Sequence, residues 1–189
     1  MSLLLLERPP APPSPAPVTY TPRIEHVRGN VAGKLRQPLG TILHGTRSGK
    51  AWSTDQEYAS TVSYVRNGAG GLGWHVCVGN DVVCIHMEPE EWGHNARACS
   101  DDYLACEFAQ ARLGDPITDA QVRAFVWWWL RCTRAFPHLP EYFPTHSDLD
   151  ASGATGKFDG KSDPFLASDR SGADELRARI RAEIERQRR

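Results

Sequence analysis

Residues 74–87, WHVCVGNDVVCIHM, hold two β-rich runs, 74–78 and 82–87, on either side of Gly79, Asn80 and Asp81. β-branched residues flanking a Gly-Asn-Asp turn predict an antiparallel hairpin, so the domain contains a sheet. With Asn80 and Asp81 in the turn, Cys77 faces Cys84 across the pair, an arrangement that suits two packed thiols better than a cross-strand disulfide. His75 and His86 ride on the same strands. With no carboxylate or Cys at metal spacing beside them, both read as structural.

Around the hairpin, strand and helix signals alternate. Upstream, the apolar run 41–44 (TILH) stops at a His and turns through Gly45–Gly49, which places His44 at a strand end, where a rigid element can hold a site residue. On this stretch alone a satisfied core histidine is the simpler reading. Ser53-Thr54-Asp55-Gln56 is a capping box, and it opens a helix with Tyr58, Val62 and Val65 on one face. The glycine-rich run 67–73 ends that helix and lacks the Lys-Ser/Thr of a phosphate loop, so it reads as a connector.

Downstream, residues 88–100 form a polar loop holding Trp92 and His94, a candidate ligand contact or a loop anchor. Residues 103–109, YLACEFA, predict a strand with Leu104, Cys106 and Phe108 on one face and Ala105, Glu107 and Ala109 on the other. A carboxylate flanked by alanines is a poor solvated surface charge. Burial in a cleft would raise its pKa toward the range of a general base. A second capping box, Thr118-Asp119-Ala120-Gln121, opens the main helix, with Val122, Phe125, Val126, Trp129 and Leu130 as its buried stripe. Trp127 and Trp128 lie off that stripe, packed under a loop or forming a contact patch. The whole predicts one α/β domain with a single mixed central β-sheet flanked by helices.

Residues 145–165, THSDLDASGATGKFDGKSDPF, are polar and punctuated by Gly153, Gly156 and Gly160, which predicts a long functional loop rather than a core helix or buried strand. His146, Asp148, Asp150, Asp159 and Asp163 are all potential metal ligands there, with Lys161 beside the last. At the N-terminus, residues 1–22 form a proline-rich, extended spacer, and the domain proper occupies 23–168. Residues 169–189 form a basic amphipathic helix, capped by Ser171–Asp174, with Ala173, Leu176, Ile180 and Ile184 in line. Docking on its own domain is the simplest use of that helix, and self-association or contact with an anionic envelope surface are the alternatives.

Composition narrows the function. The 22 Lys and Arg against 23 Asp and Glu leave a net charge of −1, with no general pull toward nucleic acid. Five Cys without a CxxC pair fit neither a disulfide framework nor a zinc ribbon and suggest synthesis in a reducing compartment. No stretch approaches the ~20 apolar residues of a transmembrane helix, and Leu3 to Leu6 are too few for a signal peptide. The expectation is synthesis in the cytoplasm without a signal peptide.

The order of these motifs resembles the type 2 zinc-dependent N-acetylmuramoyl-L-alanine amidases, whose fold is shared with peptidoglycan recognition proteins. TILHGT resembles the family's first strand with its zinc-binding His, and GWHVCVGNDVVCIHMEPEEWGHNA its hairpin and Trp-His loop. YLACEFA resembles the strand carrying a central Glu, ITDAQ the capped long helix, and THSDL and GKSDP the closing segments. The resemblance implies zinc ligands His44, His146 and Asp163, a general base Glu107 and an oxyanion-stabilising Lys161. It implies cleavage of the amide joining N-acetylmuramic acid to the L-alanine of the stem peptide, by a phage or prophage endolysin acting on the bacterial cell wall after release. A muropeptide-binding module without activity, or a zinc amidase with another substrate, are the alternatives. The chain departs from the pattern in four ways: a longer gap between His146 and Asp163, Gly45 after the first His, Phe165 in place of the usual Gly after the Pro, and WGHNA in the Trp-His loop. Because of the gap, Asp148, Asp150 and Asp159 rival Asp163, which is preferred because Lys161 and Pro164 keep the local pattern around it.

Overall fold

The computed structural model describes residues 20–156, 160, 162–166 and 168–189. Lys161, Asp159 and all but the last three residues of the proline-rich segment 1–22 lie outside the described residues. The main sheet is built from β1 (Arg23–His26), β3 (Thr41–Gly45), β4 (Val76–Gly79), β5 (Val82–Ile85) and β7 (Leu104–Phe108), in the order β1-β5-β4-β7-β3. A two-residue antiparallel ladder joins β2 (Gly33–Lys34) to β6 (Glu91–Trp92). The helices are α1 (Thr54–Arg66), α2 (Asp119–Ala135), α3 (His146–Ala151) and α4 (Arg170–Gln187).

The expected hairpin is β4–β5, with Asp81 in the left-handed region at φ 52° and Cys77 opposite Cys84. Both thiols are free and buried, and burial pushes the Cys84 pKa up to about 11. The other pairings are parallel: β4 with β7, β7 with β3, and β1 with β5. The sheet is therefore mixed, as the patterning predicts.

Each face has its own helices. Tyr58 and Val62 of α1 pack on Cys77, Cys84, Val82 and Ala109, while Val65 packs with Trp74 and Ala105. The opposite face, with Leu43, Val76, Val78, Cys106 and Phe108, is covered by α2 through Val122, Phe125, Val126 and Trp129. Burying each such side chain contributes about 1.5–3 kcal/mol. Both predicted capping boxes form at the N-termini of α1 and α2.

Four local expectations need correction. Trp128, placed off the stripe, is buried at 2% exposure in the main core, its ring 6.2 Å from His75 and 6.1 Å from Phe125, so the buried face is wider than the predicted stripe. Leu130, placed in that stripe, is only partly buried against the core. Residues 145–165 open with a helix, α3, nucleated by a box in which Thr145 accepts from the Asp148 N–H and Asp148 accepts from the Thr145 N–H. Asp at the third position does the work usually given to Glu or Gln. Finally, the N-cap of α4 is Asp169 rather than Ser171, through acceptance from the Gly172 N–H.

Ala173, Leu176, Ile180 and Ile184 of α4 are buried, and the last three belong to the main core. Arginines of α4 and its C-cap are paired with the domain: Arg177 with Asp148 and the Phe143 carbonyl, Arg179 with Asp119, and the C-cap Arg188 with Glu141. No helix among the described residues is long and apolar enough to cross a membrane.

Candidate metal centre

β3, β4 and β7 run parallel, so their carboxyl ends lie together, and ligands in open α/β sheets bind outside such ends. His44 is the fourth of five residues in β3 and faces the α1 side of the sheet with Ile42. His146 arrives by a different route. Residues 142–145 run along the free edge of β3: Thr41 N–H donates to the Tyr142 carbonyl (3.0 Å) and Leu43 N–H to the Pro144 carbonyl (2.9 Å). The Thr145 cap then starts α3 with His146 as its first residue, beside His44. Asp163 is held to the same helix: Ser147 N–H donates to its carbonyl (3.3 Å), and Ser147 Oγ–H donates to the Phe165 carbonyl (2.7 Å).

The three side chains converge. His44 Nδ1 lies 3.1 Å and His146 Nδ1 3.3 Å from the same oxygen, Asp163 Oδ2, and the two rings meet edge to face at 4.7 Å. All three residues are at least nine-tenths buried. Burial pushes the His44 pKa down, against the opposing pull of its bond to Asp163. Burial alone would raise the Asp163 carboxyl, but the hydrogen bonds from His146 and His44 outweigh it and hold the carboxyl far below its usual range.

The donor set fits a metal ion. One ligand atom from each of His44, His146 and Asp163 lies within 4.8 Å of the others, so the trio could hold a cation. Zinc bonds of about 2.0–2.1 Å in a tetrahedron require donors about 3.3 Å apart. The observed 3.1 and 3.3 Å are that spacing. Two imidazoles and one carboxylate leave a fourth position open, the pattern of a catalytic rather than a structural site.

Of the rival carboxylates, Asp148 is spent on the α3 cap and on Arg177, and Asp150 accepts from Thr155 Oγ (3.0 Å). Neither joins the cluster, and Asp159 lies outside the described residues. His75 uses both ring nitrogens, accepting at Nδ1 from the Ala105 N–H (3.0 Å) and donating from Nε2 to the Glu91 carbonyl (2.7 Å). Buried and neutral, with a pKa pushed down to about 4, it is structural, as expected. His94 is exposed and lies edge-on to Trp92.

Glu107 sits directly across from His44 in the β3–β7 register, on the same face of the sheet. It borders a cleft of about 320 Å³ lined also by Thr46, Ser48, Glu57, Tyr64 and Trp74. Glu57, buried in α1, organises the chain after His44 by accepting from Thr46 Oγ (2.6 Å), Ser48 N–H (3.0 Å) and Ser48 Oγ (2.5 Å). A Cβ at Gly45 would lie 2.3 Å from Gln110 Oε1 and 3.3 Å from the Pro164 Cα, so a side chain there would displace the end of Gln110.

Two residues near the cluster escaped the sequence reading. Arg47 adopts φ 47°, rare for a non-glycine residue, and turns its guanidinium toward the ligand segment, with Nη1 2.5 Å from Ser162 Oγ and Nη2 3.6 Å from Asp163 Oδ1. Asn95 lies on the loop after β6, with its Oδ1 buried and without a hydrogen-bond partner among the described residues. The WGHNA departure was the available signal for Asn95; nothing in the sequence marked Arg47.

No family model matches the chain, and no curated protein matches it. Solved structures do. A Staphylococcus aureus hydrolase, AmiA, aligns over 87% of this chain and 84% of its own with a TM-score of 0.63 at 16% identity. A mutant endolysin from Bacillus subtilis aligns over 85% and 99% (TM-score 0.57, 16% identity). The N-acetylmuramoyl-L-alanine amidase LysC from Clostridium intestinale aligns over 85% and 99% (TM-score 0.52, 14% identity). The chain shares the fold of these proteins.

Proposed function

We propose that the chain is a zinc-dependent peptidoglycan hydrolase that cleaves the amide between N-acetylmuramic acid and the L-alanine of the stem peptide, in the manner of a phage or prophage endolysin. The observation that carries this reading is the convergence of His44 Nδ1 and His146 Nδ1 on Asp163 Oδ2, at 3.1 and 3.3 Å, on a fold shared with amidases and endolysins. His44, His146 and Asp163 hold the ion. Zinc bound there supplies Lewis-acid chemistry, acidifying a water to a pKa of about 7 and polarising the scissile carbonyl.

The chain's own residues do the rest. Glu107, one strand across from His44, accepts the proton of the attacking water and returns it to the leaving amine. Lys161 is assigned the developing oxyanion, two residues before Asp163 in the sequence. The cleft beside Glu107 receives the muropeptide, with Trp74 and Tyr64 offering apolar faces and Ser48 and Thr46 polar ones. Contact of the C-terminal segment with anionic envelope polymers falls to Arg170, Arg181 and Arg189, which make no ion pair among the described residues.

The test is digestion of purified peptidoglycan followed by mass spectrometry, with the metal removed and then restored. Free stem peptides bearing an N-terminal L-alanine, lost on zinc removal and regained on its return, are the expected result. Release that survives complete zinc removal would overturn the mechanism. Binding without cleavage would instead favour a muropeptide-binding module.

A further inference from the structure

If Nδ1 of His44 is committed to a metal, its ring proton must sit on Nε2, and a buried N–H needs an acceptor. His44 Nε2 is buried and makes no hydrogen bond of standard geometry among the described residues. Leaving a buried donor unpaired is costly. Asn95 Oδ1 is the complementary orphan: an acceptor, likewise buried and unpaired.

The Asn95 amide cannot simply be turned round. Its Nδ2 donates to the Gly93 carbonyl (2.8 Å), which fixes Oδ1 as the remaining atom. The loop beneath is anchored from Ser100, whose Oγ accepts from the N–H groups of Asn95 (3.2 Å) and Ala96 (2.9 Å). Ala96 packs in one buried cluster with Ile42, which shares the His44 face of β3, and with Leu149, three residues beyond His146 on α3. The loop is therefore wedged between the two elements that carry the histidines. An Asn serving only as a loop anchor would not bury its carbonyl unpaired at this spot. The Asn95 side chain also lies close enough to favour the charged form of His44.

We infer that Asn95 is a positioning residue of the metal centre, its Oδ1 accepting a hydrogen bond from His44 Nε2–H and so fixing the tautomer and ring orientation that present Nδ1 to the ion. The inference rests on the zinc reading above. Groups that orient a ligating imidazole in this way are worth about 10–100-fold in metal affinity. The same acceptor makes the imidazole a better donor to the ion.

The experiment uses the full chain as wild type, N95A and N95D. Zinc affinity is measured by chelator competition, the Co²⁺-substituted proteins by visible absorption, and the metal-free proteins by thermal unfolding. N95A is expected to bind zinc about 10–100-fold more weakly, with altered Co²⁺ bands and an unchanged metal-free melting temperature. N95D, which keeps an acceptor at the same place, should recover most of the lost affinity. Wild-type zinc affinity and an unchanged Co²⁺ spectrum in N95A would overturn the inference while leaving the metal centre standing. Equal losses in both variants, together with a lowered metal-free melting temperature, would overturn it in favour of a structural role. A wild-type chain that binds no stoichiometric zinc would overturn the metal reading and the inference with it.

Discussion

Replacing Glu107 by Gln probes the chemistry with the least damage to the fold. Gln has nearly the same volume and the same hydrogen-bonding reach, but it cannot take a proton. Neighbouring strands lie about 4.8 Å apart, and the β3–β7 register puts Glu107 opposite His44 on the same face of the sheet. Glu107 is outside the His44–His146–Asp163 set, and zinc content should be unchanged in the variant. Loss of a positioned general base costs about 10²–10⁴-fold in rate, equivalent to about 3–5 kcal/mol of transition-state stabilisation. The fall should appear in kcat, with KM little altered, because the proton moves only in the transition state. The assay is stem-peptide release from a defined muropeptide, run beside zinc determination by atomic emission. A variant within about fivefold of wild-type kcat would remove Glu107 from the mechanism, since that lies well below the range for a general base.

Three further outcomes follow from other parts of the molecule. Arg47→Ala removes the guanidinium facing Asp163 Oδ1 and Ser162, and zinc affinity by chelator competition should fall about tenfold, the lower end for an outer partner of a ligand; an unchanged affinity would show that Asp163 needs no such support. Ile180→Ala, at a fully buried α4 position, should cost about 2–5 kcal/mol in denaturant unfolding, whereas a loss below about 1 kcal/mol would mean that α4 is not part of the cooperative core. Burial holds both His75 and His86 neutral, with pKa values pushed down to about 4 from an ordinary 6.5. The unfolded chain therefore binds more protons between those values, and stability should fall as pH drops from 6.5 toward 4. His86→Gln should flatten that slope in melting temperature against pH; an equally steep slope would assign the acid sensitivity to other groups.

Much of the fold was legible because local rules and tertiary packing agree. Asn80-Asp81 between β-branched runs, Ser53 with Gln56, and Thr118 with Gln121 each specify a local geometry that the protein adopts. His44 could be placed at a strand end, and Glu107 drew attention as a carboxylate between alanines on one strand face. Their adjacency was not legible, because it arises from a parallel register between strands some sixty residues apart in the chain. β1 and β2 carry too little periodicity to announce themselves, and α3 hid behind an Asp in place of Glu in its capping box. Trp128 fell outside the predicted stripe although it is buried, because the face that α2 packs on the core is wider than one stripe. Arg47 and Asn95 sit on loops, and no spacing rule in the sequence connects either residue to His44, His146 or Asp163.

The claim on which the rest depends is that His44, His146 and Asp163 form a zinc centre. Anomalous diffraction from crystals grown with zinc, collected on both sides of the zinc absorption edge, addresses it directly. The expected result is a single strong peak within about 2.0–2.2 Å of His44 Nδ1, His146 Nδ1 and an Asp163 carboxylate oxygen. A cluster that stays without an edge-dependent peak at saturating zinc, or a peak bonded to Asp148 or Asp150 instead, would contradict it.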